Sequence, residues 1–254
     1  MTRSVVSKPP YVLYDGGFDK LNHPYDSIMP LIEITPEIKY LPSVENPISS
    51  DVIFIKPAGS DTTWIFDVGS CGEAADLINK IEGKKNIVIS HFHPDHIINL
   101  LKVKYDKLYV TKYTKKYTRV GEIVEDMADF PDGIKIYTIP SSHSKGCLAL
   151  EYKDYVFLGD ATYCHFRLSA REYNVQLLEQ MIKKMEEISA PNFCLSHDKG
   201  FVQSKESVIR IYKNSSEIHG QFVKFHITFT LGRLTAIPTP PLGDNRGIGN
   251  TLEL

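Results

Sequence analysis

The chain has 254 residues, enough for one large domain or two small ones, and a chain of this length buries roughly three quarters of its unfolded surface. Its residues are 42% hydrophobic and 24% charged, which excludes a disordered polymer, and a formal charge of −2 gives no bulk attraction to nucleic acid. No stretch is long and apolar enough to span a bilayer, so no membrane association is expected. The four cysteines, Cys71, Cys147, Cys164 and Cys194, form no C-x-x-C pair, and residues 1–10 contain no apolar export run. A cytoplasmic setting with free thiols is expected.

Taken in order, residues 1–50 are rich in aromatics and carry Pro9, Pro10, Pro24, Pro30, Pro36, Pro42 and Pro47. Short edge strands and loops with few helices are expected there. Residues 52–56 and 63–67 are β-branched and aromatic runs separated by Pro57, Ala58, Gly59, Ser60 and Asp61, a hairpin pattern. Ser70 and Glu73 have the spacing of a capping box, and Ala74, Leu77, Ile78 and Ile81 recur at helical intervals until Gly83.

Residues 86–89 read as a strand that runs into the densest chemistry of the chain, S-H-F-H-P-D-H at positions 90–96. His91, His93, Asp95 and His96 are imidazole and carboxylate donors suited to Zn, Fe or Mn. Histidines near a strand end can also be surface or hydrogen-bonded core groups. Three further donors bear on the choice, since His143, Asp160 and His197 each follow an apolar run at a strand-to-loop boundary. Four strand ends would then feed one pocket.

Between these donors, residues 107–111 read as a strand and 113–119 as a short helix. This region holds Lys102, Lys104, Lys107, Lys112, Lys115, Lys116 and Arg119 against the single acid Asp106, with Tyr105, Tyr109, Tyr113 and Tyr117 interleaved. Such a mixture can bind phosphates and stack bases. Solvated lysines whose stems cover apolar surface give the same pattern, and the slightly negative chain favours that reading. Strands follow at Ile134–Ile139, Cys147–Tyr152 and 155–158, the last two joined by Lys153 and Asp154 in a tight hairpin. Residues 169–190 read as the clearest helix, with Ser169 and Glu172 as a second capping box and Leu178, Met181, Ile182, Met185 and Ile188 on one face. Residues 192–195 form a strand delivering His197, and 204–219 a final helix ended by Gly220. Residues 222–229 could add a strand; 231–254, with Pro238, Pro240, Pro241 and four glycines, read as a mobile or partner-ordered tail.

H-x-H-x-D-H, then a lone His, then G-D after a strand, then another lone His, resembles the metallo-β-lactamase-fold hydrolase superfamily. The resemblance implies an α+β fold, a four-layer αββα sandwich, as one hydrolase domain over residues 1–220 with 221–254 as an extension. Periodicity alone reaches only α/β or α+β. It also implies that His91, His93 and His143 hold a first metal, that Asp95, His96 and His197 hold a second, and that Asp160 bridges them. Two Zn2+ per chain are expected, with Fe or Mn as alternatives, and a metal-bridging hydroxide as nucleophile, with Asp95 helping to move the proton. Asp67 is a candidate support for the ligands.

Departures from family patterns narrow the expected substrate. Common class B β-lactamases carry cysteine where Asp160 stands, flavodiiron proteins carry glutamate where His93 stands, and the interval from Asp160 to His197 is too short for the domain inserted in β-CASP ribonucleases. Asn99, where many relatives have glycine, implies altered loop packing. Asp160-Ala161-Thr162-Tyr163 is similar to the D-A-S-Y of acyl-homoserine lactonases, so Tyr163 could polarise a substrate carbonyl; packing beside the site is the plainer role. The expectation is hydrolysis of a small ester, lactone or thioester in the glyoxalase II and lactonase neighbourhood. The alternative is a phosphodiesterase or ribonuclease of the tRNase Z type using the basic stretch, and a mononuclear iron enzyme related to persulfide dioxygenases is a third. A small-molecule substrate is thus expected as partner, nucleic acid is less favoured, and a homodimer fits.

Overall fold

The computed structural model describes residues 31–167, 170–217, 225–230 and 233–238. The β-branched runs become strands β1 (Ile32–Thr35), β2 (Ile38–Leu41), β3 (Val44–Glu45), β4 (Ile48–Ser49), β5 (Val52–Ile55) and β6 (Thr62–Phe66). Helix α1 (Gly72–Lys80), β7 (Lys84–Val88), α2 (Pro94–Ile97), a 3-10 turn (Ile98–Leu101), β8 (Lys107–Val110), α3 (Lys115–Thr118) and β9 (Glu122–Ile123) follow. The second half holds β10 (Met127–Asp129), β11 (Ile134–Ile139), β12 (Cys147–Tyr152), β13 (Tyr155–Phe157), β14 (His165–Arg167), β15 (Ala170–Asn174), α4 (Val175–Glu187), β16 (Asn192–Cys194), β17 (Val202–Ser204), α5 (Lys205–Glu217), β18 (Phe225–Thr230) and β19 (Arg233–Pro238).

Two large mixed sheets result, ordered β1-β2-β5-β6-β7-β8-β9 and β10-β11-β12-β13-β16-β17. Their central strands are buried on both faces, and the period of two in each strand shows why. In β6, Trp64 and Phe66 face the second sheet while Ile65 faces α1; in β12, Leu148 and Leu150 face the first sheet while Cys147 and Ala149 face α4. Trp64, Phe66, Ile134, Leu150 and Phe157 thus form an inter-sheet core. Ala74, Ala75 and Ile78 seal α1 onto the first sheet, and Leu178, Met181, Ile182 and Met185 seal α4 onto the second. Helix, sheet, sheet, helix is the four-layer order expected. No helix among the described residues is long and apolar enough to cross a membrane.

Strands β6, β7, β8 and β9 run parallel, as do β13 and β16. The turns after β6, β7 and β8 therefore leave the first sheet at one edge, the carboxyl edge where open α/β sheets bind ligands.

Several local expectations change. The Ser70–Glu73 capping box does not form: Cys71 is the N-cap with no side-chain bond, because the Ser70 hydroxyl donates to the Ile48 carbonyl of β4. The helix expected from Ser169 starts later, at Val175, where Asn174 Oδ1 accepts from Leu177 N at 3.1 Å. Residues 170–174 pair instead with β14 and β18, and the buried Tyr173 donates its hydroxyl to Thr162 O, so long-range pairing overrides a local cap. Ser169 and Gly220 lie outside the described residues. In the region read as extension and tail, β18 and β19 pair in register, and β18 pairs with β15. Residues 1–30 and 239–254 lie outside the described residues.

Candidate metal centre

Each donor stands where its strand ends. His91 follows β7, and Pro94 opens α2 so that Asp95 and His96 turn back beneath His93, the N-cap. His143 lies between β11 and β12, Asp160 follows β13, and His197 follows β16. The structure brings all seven together. One atom from each of His91, His93, His143 and Asp160 lie within 4.8 Å of one another, and the same holds for Asp95, His96, Asp160 and His197. Asp160 belongs to both groups. Its Oδ2 is 3.3 Å from His143 Nε2 and 3.4 Å from His96 Nε2; on the far side, Asp95 Oδ2 is 3.1 Å from His197 Nε2.

The free atoms point inward. His91 Nε2, His96 Nε2 and Asp160 Oδ1 are buried without a hydrogen-bond partner, a costly state for polar atoms. The opposite nitrogens are occupied: His91 Nδ1 is 3.0 Å from Ser90 Oγ, His96 Nδ1 is 2.7 Å from Asp67 Oδ2, and His143 Nδ1 is 3.1 Å from the Cys164 carbonyl. Fixing one ring nitrogen presents the other to a cation. Two nitrogen-and-oxygen sets sharing one carboxylate fit a pair of divalent cations.

Electrostatics divides the two groups. Burial, with help from neighbouring histidines, pushes His91 well below the ordinary imidazole range and His93 down to about 4, so both are neutral donors. Burial also opposes charge on His96, but Asp67 and Asp160 outweigh it and raise that group well above its ordinary value. For Asp160 burial opposes ionisation, and His96 and His143 overcome it, leaving a carboxylate. Asp95 and His197 behave as a pair: against burial on both, their mutual hydrogen bond lowers Asp95 and raises His197.

Asp67, the candidate support, contacts one of the donors. It is 1% exposed, sits at φ 60° after β6, takes His96 Nδ1 on one oxygen and accepts Ser90 N at 2.7 Å on the other. Ser90 in turn needs Gly159 opposite it, where a Cβ would lie 2.7 Å from the Ser90 Cβ.

The sequence gives no local sign of a second support, Asp51. This carboxylate is 4% exposed and accepts from Ser196 Oγ at 3.0 Å and His197 N at 2.9 Å on one oxygen, and from Ser43 N at 3.0 Å on the other. It holds His197 in a left-handed turn at φ 60°, a strained backbone of the kind stored at functional sites. Its neighbour Ser50 donates N–H to the Asp95 carbonyl at 3.1 Å. Two adjacent residues thus brace two donors of the second group.

Tyr163 lies beside the centre, its ring centroid 6.3 Å from that of His143, with its hydroxyl donating to the Ser196 carbonyl. Burial keeps that phenol protonated. His165 is exposed on β14. Asn99 is buried and its amide donates to the Val68 and Cys71 carbonyls, which ties the motif to the turn after β6.

No family model matches the sequence, and no curated protein matches it. Solved structures do. An archaeal metallo-β-lactamase superfamily protein, ST1585 from Sulfolobus tokodaii, is 18% identical, with TM-score 0.52 over 71% of this chain and 86% of its own. The metallo-β-lactamase FIM-1 from Pseudomonas aeruginosa, in its mono-zinc form, is 12% identical, with TM-score 0.53 over 74% of this chain and 96% of its own. The chemotaxis sensor ODP, solved as a peroxy diiron species, is 14% identical, with TM-score 0.50 over 76% and 99%. At these identities the likeness establishes architecture: the chain has the metallo-β-lactamase fold, an α+β sandwich.

Proposed function

We propose that this chain is a dinuclear metal-dependent hydrolase of a small ester, lactone or thioester. The observation that carries the reading is Asp160, one carboxylate shared by two four-donor groups in which His91 Nε2, His96 Nε2 and Asp160 Oδ1 are buried without a hydrogen-bond partner. The zinc of FIM-1 and the diiron of ODP support cations of this kind, with zinc preferred here because imidazole and carboxylate suit it. When bound, the cations supply Lewis acidity and lower the pKa of water from ~15.7 to about 7.

The chain supplies the rest. His91, His93 and His143 would hold one cation and Asp95, His96 and His197 the other, with Asp160 available to both. Asp95 is 13% exposed at its side chain, so its carboxylate can carry the proton of the attacking water towards the leaving group. Tyr163 holds a phenolic proton 33 residues from its acceptor, and passing that hydrogen bond from Ser196 O to the substrate carbonyl would stabilise the developing oxyanion.

The test is reconstitution. Protein stripped of metal and reloaded with zinc should bind two equivalents and hydrolyse members of an ester, lactone and thioester panel, while Asp160→Ala should lose metal and rate together. Full activity in that variant sinks the reading. The Tyr163→Phe change should lower kcat/KM on the best substrate by about 1–3 kcal/mol of transition-state stabilisation while zinc content stays put. The runner-up, a phosphodiesterase or ribonuclease, rests on the basic stretch and is checked with bis(p-nitrophenyl) phosphate and tRNA precursors on the same loaded protein.

A further inference from the structure

Of the basic stretch, residues 111–119 leave the first sheet at the edge that carries the centre, whereas Lys102, Lys104 and Lys107 stand before or at the start of β8. Strands β7 and β8 are parallel neighbours, so the turn after β7, which carries His91 and His93, and the segment after β8, which carries α3, leave by the same edge. Side chains lock the two segments together. Phe92, between the two histidines, meets the ring of His93 edge-on at 5.2 Å and stacks face-to-face on Tyr117 at 4.3 Å and 7°. On its other flank the segment that leads from β8 into α3 meets the turn of His143: Thr111 Oγ1 donates to Gly146 O at 3.0 Å, and Tyr113 lies so close that a Cβ on Gly146 would meet it at 2.6 Å.

On that platform sit two cations that no salt bridge neutralises among the described residues. Lys112 Nζ and Lys116 Nζ lie 5.3 and 5.7 Å from the same ring, Tyr113. Both residues are exposed, and neither has a salt bridge among the described residues, whereas Lys107 finds Glu122 and Lys135 finds Glu151. Two like charges over one phenol repel each other, and the quadrupole of a single ring is weak recompense at an exposed position, so an added anion is favoured there. Tyr117 is 45% exposed, a large aromatic face left uncovered beside a donor of the first cation group.

The geometry points to α3 and the segment that leads into it as the substrate-recognition element, with Lys112 and Lys116 taking an anionic group at the far end of the acyl chain and the Phe92–Tyr117 stack taking the apolar part between. This rests on the hydrolase reading and narrows its substrate class to esters or thioesters bearing a carboxylate or phosphate. An extended nucleic acid fits less well. Lys112 and Lys116 converge on one ring, whereas a polyanion track needs charges spread along a path.

The experiment uses zinc-loaded full chain and three phenyl esters: adipic acid monophenyl ester, the same ester with its free carboxyl capped as an amide, and the phenyl ester of 6-phosphooxyhexanoic acid. Wild type should show a lower KM for the charged esters than for the capped one, and the better of the two charged esters identifies the anion. Lys112→Glu with Lys116→Glu should erase that preference, a change of about tenfold in the KM ratio. Zinc content should not change. Lys80→Glu with Lys183→Glu, the same change of net charge at exposed positions of α1 and α4, should retain the preference. An unchanged ratio in the α3 variant, or an equal loss in the control, overturns the proposal, as does a loss confined to oligonucleotide binding.

Calorimetry with adipic acid monoanilide, which has the same shape but resists hydrolysis, separates the two failures. Binding weakened by the α3 changes while no ester turns over defeats the hydrolase reading and keeps the anion site. Ester turnover with anilide binding indifferent to those changes does the reverse.

Discussion

A single carboxylate that touches no cation can decide how well one is held. Replacing Asp51 by alanine strands the N–H groups of Ser43 and His197 and the Ser196 hydroxyl, each of which costs about 1–3 kcal/mol when buried without an acceptor. The expected outcome is selective: zinc affinity of the Asp95–His96–His197 group falls about 10–100-fold, while the His91–His93–His143 group keeps its ion. Metal titration followed by calorimetry would show one weakened step; two equally weakened steps would refute the assignment. Protons should mark the same division. His91 and His93 sit below their ordinary range and are already neutral, so they take up a cation without releasing protons near neutrality. His96 and His197 are raised, hence more protonated in the stripped protein, and must give up protons on binding. Affinity at the second group should therefore rise with pH across the neutral range more steeply than at the first. Calorimetry in buffers of differing ionisation enthalpy measures this, and equal proton release at both steps would contradict it.

Among the elements, the turn after β13 tolerates least. Gly159 has φ 53°, and an added methyl would strike Ser90 at 2.7 Å, between the two residues that Ser90 and Asp67 hold in place. Gly159→Ala should cost about 1–3 kcal/mol of stability and lower zinc content, read by thermal unfolding and metal analysis. At the start of α4, Asn174→Ala removes the cap to Leu177 N and should cost about 1 kcal/mol with zinc content unaffected. These cases show where the sequence could be read and where it could not. Strands β5 to β8, β11 to β13 and β16 were legible because their apolar runs are short, continuous and punctuated by Gly, Pro or Asp. The seven candidate donors stood out because four crowd into residues 91–96 after one such run, and His143, Asp160 and His197 each follow another. The start of α4 was misread because Ser169 and Glu172 have the spacing of a cap, while the competing partner, β18, lies more than fifty residues away in the chain. Asp51 was missed for the same reason: its contact with His197 spans 146 positions and no local pattern carries it.

Across the whole molecule, the donors divide by layer. His91, His93, Asp95 and His96 arrive from the first sheet, whereas His143, Asp160 and His197 arrive from the second. Few backbone bonds tie the layers near the centre, one being Leu148 N to Ser90 O at 2.7 Å. Cations bound there would therefore act as a rivet through the seam of the sandwich. Withdrawing them with a chelator would leave imidazoles and carboxylates facing each other across that seam, and should speed deuterium entry into the amides at the ends of β7, β13 and β16 more than into those of β1 or β17 at the rims. A protein of this build carries its mechanical fastening and its reactive centre in the same few atoms, so starvation for metal would open the joint as well as silence the chemistry.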